Sequence, residues 1–291
     1  MMTWEETIRF IRTQPEYKSL VEQSYLGEDL RLNVDHFRSS EEFVETLKLI
    51  REFAPHAVSI LDIGAGNGIS SVALALSAYD VTVVEPDPSA TVGCGAIEIL
   101  KKEFGLVNLK INTSFGEKLP FETALFDIVY ARQAMHHAAD LNTFIKEAGR
   151  VLKPGGLLIT VRDHVIFGEK DKKEFLVTHP LQRFYGGENA FTGDQYISAM
   201  QNAGFQIKKQ LKYYDSVINY FPGKASEVSN AGNLLRENFR KSMRKRFGSW
   251  VVNFPFLQLL ELISRLKNGD WTDERRIPGR MNSFIALKNP L

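Results

Sequence analysis

The sequence has almost no cysteine. Its 291 residues hold one, Cys94, so no intrachain disulfide can form, and a reducing, cytoplasmic setting is expected. Net charge is nearly absent too. The 36 Lys and Arg against 35 Asp and Glu leave a formal +1. Such a balance gives no global field to gather nucleic acid, so no nucleic-acid partner is expected. Long hydrophobic runs are also missing. The opening "MMTWEETIRFIRTQPEYK" carries acids early and lacks the pattern of a secretory signal. The most apolar late stretch, "WVVNFPFLQLLELI" (Trp250 to Ile263), is interrupted by Asn253 and Pro255. It falls short of the ~20 residues that a bilayer span needs, so no transmembrane helix is expected. There is no C-x-x-C pair, no H-E-x-x-H and no close His/acid cluster, so no metal site is expected. No G-x-S-x-G elbow supports a hydrolase. Repeats and low-complexity tracts are absent.

What is present is the composition of a globular chain, 44% hydrophobic and 24% charged. Helical signals come first. Ser39 and Glu42 in "SSEEFVETLKLIREF" have capping-box spacing, and Phe43, Leu47, Ile50 and Phe53 share a face up to Pro55. From Val58 the rhythm changes. "VSILDIG", "DVTVVEP", "LKINTS", "FDIVYAR" and "LLITVRD" are short apolar runs, each expected as a strand. Between them lie the helical segments "ISSVALALSA", "AIEILKKEFG" and "LNTFIKEAGRVL", the last capped by Asp140. Pro154-Gly155-Gly156 is expected as a turn. Val165 to Glu188 reads as a polar loop with weak periodicity. Thr192 and Gln195 then cap a helix ending near Gly204, "FQIKKQL" follows as a strand, and "NSFIALKN" closes the chain as another. Strands alternating with helices imply a parallel sheet covered on both faces. The expected organisation is a helical extension or lid over 1–56, an α/β core over 57–214, a helical insertion over 215–279 and a closing strand over 280–291.

The chemistry concentrates at "SILDIGAGNGISSVAL". Gly64, Gly66 and Gly68 sit between a strand and a helix, where glycine permits a tight turn and close backbone approach to a ligand. A dinucleotide loop of the form G-x-G-x-x-G would put its third glycine at position 69, which is Ile69. Asp62, just before the loop, would repel a pyrophosphate. It would attract a ligand carrying an ammonium group, such as S-adenosylmethionine. Glu85 ends the next strand, where an acid accepts hydrogen bonds from both hydroxyls of a ribose. That residue suits an adenosine-type ligand and leaves NAD and S-adenosylmethionine both open.

Four stretches in order, "ILDIGAGNG", "VVEPDP", "EKLPFETALFDIVYARQAMHHAADL" and "EAGRVLKPGGLLIT", resemble the successive motifs of class I S-adenosylmethionine-dependent methyltransferases, nearest to the group that includes quinone-biosynthesis C-methyltransferases. The likeness covers roughly Val58 to Phe205 plus the closing "SFIALK". It implies a Rossmann-like seven-stranded sheet, mostly parallel, with the last strand antiparallel. It also implies methyl transfer from S-adenosyl-L-methionine, leaving S-adenosyl-L-homocysteine. In the family pattern Gly64, Ala65, Gly66, Asn67 and Gly68 would hold the methionine part, Asp62 its amino group, and Glu85 with Pro86 the ribose. The backbone at Ala131 and Arg132 would close over the methionine. Many relatives place an Asp after the third strand to receive the adenine amino group. This chain has Phe115 there, so adenine is expected against Phe115, Gly116 and Glu117.

The candidate bases at strand ends are His137, Asp163 and His164, since open α/β sheets bind ligands there. His136 beside His137 is expected to pack the loop. His36 would reach the cleft only under an N-terminal lid, and His56 and His179 have no special context. "RENFRKSMRKR" (Arg236 to Arg246) is a basic run that reads as a solvated helix face. Together with the apolar stretch after it, it is alternatively a lid for a lipid-like or anionic acceptor, or a surface for peripheral membrane contact. The expected partner is a small-molecule or lipid-like acceptor. Two other functions compete: a protein that binds S-adenosylmethionine without catalysis, and a nicotinamide-dependent oxidoreductase.

Overall fold

The structure is a computed structural model that describes residues 1–24, 26–220, 222–248, 254–268, 272–277 and 279–290. One sheet organises it, in the order β3-β2-β1-β4-β5-β8-β7, with a short β6 beside β5. The strands are β1 (Ser59–Ile63), β2 (Asp80–Val84), β3 (Leu109–Asn112), β4 (Phe126–Arg132), β5 (Leu152–Ile166), β6 (Phe191–Thr192), β7 (Phe205–Leu211) and β8 (Met281–Lys288). β1 to β5 run parallel, and β8 is antiparallel to both β5 and β7. This is the expected α/β sheet of seven main strands, with the two-residue β6 added to it. The Val, Ile and Leu runs of β1 and β4 are buried because helices cover both faces.

Four helices precede the sheet: α1 (Trp4–Arg12), α2 (Lys18–Gln23), α3 (Leu30–Arg38) and α4 (Glu41–Phe53). The N-cap of α4 is Ser40, whose hydroxyl accepts from the Phe43 amide at 3.2 Å. The expected cap at Ser39 is therefore displaced by one residue, and Glu42 turns into the core. α5 (Ile69–Leu76), α6 (Cys94–Phe104) and α7 (Leu141–Val151) connect the strands, and Asp140 caps α7 as expected. Val165 to Glu188 is not a loop. β5 continues through Ile166, and α8 (Glu169–Thr178) and α9 (Gln182–Tyr185) follow. α10 (Gly193–Asn202) has the expected Thr192/Gln195 capping box. Within the insertion lie α11 (Ala225–Phe247) and α12 (Phe254–Asn268). They are tied by Glu261, which receives Arg236 at 2.7 Å and also Arg240. Trp250 to Asn253, the start of the apolar stretch noted in the sequence, lie outside the described residues.

The core has two layers. On one face Val34, Phe37, Phe43, Leu49 and Ile50 pack with Leu157, Ile159 and Val161 of β5. On the other, Phe144, Ile145, Ala148, Tyr196 and Met200 pack with Leu158 and Val165. A smaller cluster joins Ile8, Ile11 and Leu26 to Val92 and Leu181. β5 carries two irregularities. Pro154-Gly155-Gly156 is not a free turn: Phe126 pairs with Leu152 and Ile128 with Leu157, so the segment bulges out of a continuous strand. Further along, Thr160 pairs with Phe284 but Asp163 with Asn282, so one extra residue stands on β5. Arg162, at φ +60, lies in this bulge.

Candidate functional site

β1 and α5 meet at the glycine loop. Gly64, Gly66 and Gly68 have φ of +70, +56 and +82, a region that a side chain disfavours. Two of them also have no room for one. A Cβ on Gly64 would lie 2.6 Å from Ala134 Cβ, and one on Gly68 2.6 Å from Ile97. At the tip of β2, Glu85 reaches across to the loop. Its two oxygens accept from the Gly66 amide at 2.7 Å and the Asp87 amide at 2.9 Å. Burial pushes its carboxyl up to about 7, against the pull of those two amides.

Asp62 is placed differently from the sequence expectation. It is fully buried and does not line the cavity. Its Oδ2 accepts from Ser70 at 2.8 Å and Ser71 at 2.6 Å, both in the first turn of α5. Burial pushes the carboxyl up to about 6 in spite of these hydroxyls. Oδ1 has no hydrogen-bond partner. Asp62 thus braces the loop from beneath, with one orphaned acceptor.

A cavity of about 780 Å³ opens over the loop. Among the cofactor candidates, Gly64, Ala65, Gly66, Asn67, Glu85, Pro86, Phe115, Gly116, Glu117 and Arg132 line it. Asp62, Gly68 and Ala131 do not. Ala131 is sealed in β4, and Gly68 caps α5. Trp4 of α1, Leu20 of α2, Phe175 of α8, Tyr185 of α9 and Leu181 just before α9 also line the cavity. Met281 of β8 and Gly279 also line it, while no described residue of 215–278 does. His36 is exposed on α3, away from this cavity.

The strand ends of β4 and β5 hold a cluster that the sequence shows only in pieces. His136 is buried, with Nδ1 3.0 Å from Asp163 Oδ1. The same oxygen accepts from the His136 amide at 3.0 Å. Asp163 is fully buried and lies beneath the cavity, so it positions His136 and does not face a ligand. His137 lines the cavity, with Nδ1 3.2 Å from the Gly187 carbonyl. His164 also lines it, its ring centroid 4.8 Å from that of His136. Burial drives His164 well below the usual histidine range. His137 is likewise pushed down, by burial and then by the adjacent His136 cation. His136 goes the other way. Burial opposes its charge, but Asp163 and Glu188 outweigh this and raise it to about 9.

Two members of this cluster, Glu188 and His179, were not singled out by sequence reading. Glu188 is buried, accepts from the Tyr185 hydroxyl, and faces three imidazoles. No local spacing announces it. Its partners lie nine and some fifty residues back along the chain. Arg132 is also anchored unexpectedly. Glu42 on α4 binds Arg132 at 2.6 Å and Arg162 at 2.9 Å, joining the first helices to the ends of β4 and β5.

A cradle of positive-φ glycines with the Glu85 acid across from it fits an adenosine-type ligand. Residues 61–160 match the family model described as a methyltransferase domain. The chain is 33% identical to the uncharacterized methyltransferase YcgJ of Bacillus subtilis (strain 168) over 141 residues, 45% of this chain and 52% of that one. It is 30% identical to a ubiquinone biosynthesis O-methyltransferase of Azorhizobium caulinodans over 128 residues, 43% of this chain and 45% of that one. The chain thus spans about half the length of these two relatives. Among solved structures, the [4+2]-cyclase SpnF superposes with a TM-score of 0.54 at 18% identity, over 85% of this chain and 81% of that one. At that identity the likeness concerns the fold.

Proposed function

The chain carries a class I S-adenosylmethionine-dependent methyltransferase domain, and from that premise we propose that it transfers a methyl group to a small-molecule acceptor. One observation carries the reading. A single cavity joins the Gly64–Gly68 loop and Glu85 at one end to His137, His164 and Glu188 at the other. The first end suits the donor, and the second suits an acceptor with a polar, ionisable group. Trp4, Phe175 and Leu181 would sit against an apolar body.

Bound S-adenosylmethionine supplies a methyl carbon activated by a sulfonium leaving group. What this chain's residues contribute is placement and proton handling. Gly64 to Asn67 provide a backbone floor. Glu85 accepts hydrogen bonds from a diol once ionised. Phe115 offers an exposed ring to a flat base, in keeping with the missing adenine-binding Asp. Asp62 acts mainly through α5 and the loop. If the acceptor must lose a proton, His164 and His137 are the proposed acceptors of it, because both rings are held neutral. Asp163 serves His136 instead. The N-terminal helices cover the cavity in this reading. For 215–279 we propose a lid or interface role, tested by limited proteolysis with and without S-adenosylhomocysteine.

Calorimetric titration with S-adenosylmethionine and S-adenosylhomocysteine tests the donor end. Binding to the wild type, weakened at least tenfold in Glu85→Ala, is the expected result. Absence of heat with both compounds would end the proposal. Incubation of a cell extract with methyl-labelled donor tests the acceptor end. Label in a filterable compound separated chromatographically from the unreacted donor supports a small acceptor, and label transferred only to RNA or protein excludes it.

A further inference from the structure

The donor cradle leaves the histidine cluster unexplained, and the cluster has a chemistry of its own. His136, His137 and Glu188 each offer a ligand atom, and these atoms all lie within 4.8 Å of one another. Glu188 Oε2 is 3.4 Å from His136 Nε2 and 3.9 Å from His137 Nδ1. Its other oxygen is 3.6 Å from His179 Nε2. We propose that His136, His137 and Glu188, with His179 alongside, bind one divalent transition-metal ion at the acceptor end of the cavity.

Three features of the geometry support this. The first is the orientation of His136. Its Nδ1 is held at 3.0 Å by the buried Asp163 carboxylate, so Nε2 points to Glu188. A carboxylate fixing one imidazole nitrogen while the other binds an ion is the usual support of a histidine ligand. The second is spacing. Charge-assisted N–H···O bonds close to roughly 2.7–2.9 Å. Two ligands on a tetrahedral ion with bonds near 2.0–2.2 Å stand roughly 3.4 Å apart. The 3.4 Å between His136 Nε2 and Glu188 Oε2 matches the second figure, and His137 Nδ1, 3.9 Å from Glu188 Oε2, would have to turn inward to complete the set. The third is that Glu188 Oε2 is buried with no hydrogen-bond partner. An ion between the rings would satisfy it.

The donor set selects the ion. Imidazole nitrogens with one carboxylate suit Zn²⁺, Fe²⁺ or Co²⁺, and they suit Mg²⁺ poorly. Ligation through His137 Nδ1 would replace its present contact with the Gly187 carbonyl and leave the proton-acceptor role to His164. The site lies on the cavity wall, since His136, His137, His179 and Glu188 all line it. A bound ion there would hold an acceptor through an oxygen and favour its deprotonated form. That last role rests on the methyltransferase reading, but metal binding itself does not. The competing arrangement is a protonated His136 held between Asp163 and Glu188 with no ion.

The test uses the full-length chain, purified without a metal-affinity tag and stripped with chelator. Calorimetry with Zn²⁺, Co²⁺ and Mg²⁺ should give one equivalent per chain for the first two, at least 100-fold tighter than Mg²⁺. The Co²⁺ form should show visible d–d absorption. His137→Ala, whose side chain is 40% exposed, and Glu188→Gln should each weaken Zn²⁺ at least 100-fold. Asp163→Asn should weaken it about 10–100-fold, the usual reach of a supporting carboxylate. Circular dichroism and S-adenosylhomocysteine binding, measured on each variant, separate loss of the site from loss of the fold. A wild type that binds S-adenosylhomocysteine but takes up no Zn²⁺ or Co²⁺ overturns the metal and spares the methyltransferase reading. Stoichiometric binding unchanged in both His137→Ala and Glu188→Gln overturns this site as well.

Discussion

Replacing Glu42 by Gln should be among the most destabilising single changes outside the apolar core. The side chain is fully buried, and its carboxylate accepts from Arg132 Nε at 2.6 Å, Arg132 Nη2 at 3.2 Å and Arg162 Nη1 at 2.9 Å. Both guanidinium side chains are only 9% exposed. Gln keeps the shape, but it removes the charge and turns an amide donor toward other donors. Removing one partner of a buried ion pair costs roughly 3–5 kcal/mol, because the remaining charge stays desolvated. Against a typical stability of about 5–15 kcal/mol, that is a large share. At about 2–4 °C per kcal/mol, the melting temperature should fall by about 6–20 °C. A surface control lies on the same helix. Glu45 pairs with Lys48 at 3.3 Å with both side chains partly or mostly in solvent, so Glu45→Gln should cost under about 1 kcal/mol. The assay is urea denaturation of the three proteins at neutral pH. Equal losses in Glu42→Gln and Glu45→Gln would refute the reasoning. The pH dependence supplies a second check. Burial would raise the Glu42 carboxyl, but Arg132 and Arg162 together hold it below the ordinary 4.5. Its contribution is therefore complete above 4.5 and is lost as pH falls through the lower folded value. The gap between wild type and Glu42→Gln should close in that acid range.

Three further predictions concern the cradle. Glu85 sits at about 7, so its acceptor form fades below neutrality; affinity for S-adenosylhomocysteine should fall up to about tenfold from pH 8 to pH 6, and calorimetry on Glu85→Gln should show no such slope. Gly64→Ala adds a Cβ 2.6 Å from Ala134 at φ +70 and should cost about 2–4 kcal/mol with loss of S-adenosylhomocysteine binding, whereas Gly105→Ala, at φ +65 with nothing within 4 Å, should cost only about 1–2 kcal/mol in the same urea assay. Ser71→Ala removes the 2.6 Å bond to buried Asp62 and should cost about 1–3 kcal/mol by urea denaturation, with an unchanged stability arguing that the Asp62 brace is unimportant.

The parts of this molecule that could be read in advance are those whose cause is local. The apolar runs of β1, β2 and β4 stop at glycine, proline or a charge, and their ends fall close to the expected places. Asp140 and Thr192 cap helices through neighbours two or three residues away. Where the cause is distant, local spacing misleads. Ser39 and Glu42 fit a capping box, but Ser40 takes the cap because Glu42 is drawn to two arginines some ninety and one hundred and twenty residues on. The α8 sequence "EKDKKEFLVT" buries only Phe175, so it lacks the apolar stripe that marks a helix. Asp62 stands out in the sequence as an acid beside the glycine loop, but Ser70 and Ser71 determine that it faces α5 and not the cavity. His179 gains its context only when α9 folds back and brings Glu188 beside it.

The extra residue in β5 has a consequence for sequence drift. Side chains alternate across a strand, yet Val161 and Arg162 both turn toward the helices that carry Glu42, while Asp163 turns to the opposite face with Val165. One inserted position therefore sorts two buried charges of opposite sign into separate compartments. Straightening the bulge with every residue kept would restore strict alternation and send Asp163 toward Glu42, acid against acid, while stranding His136 without its carboxylate. Losing Arg162 itself would leave Asp163 on its present face and take away one of the two arginines that hold Glu42. Homologous chains that keep both clusters should keep a cation at position 162, a carboxylate at position 163 and the extra residue that separates their faces.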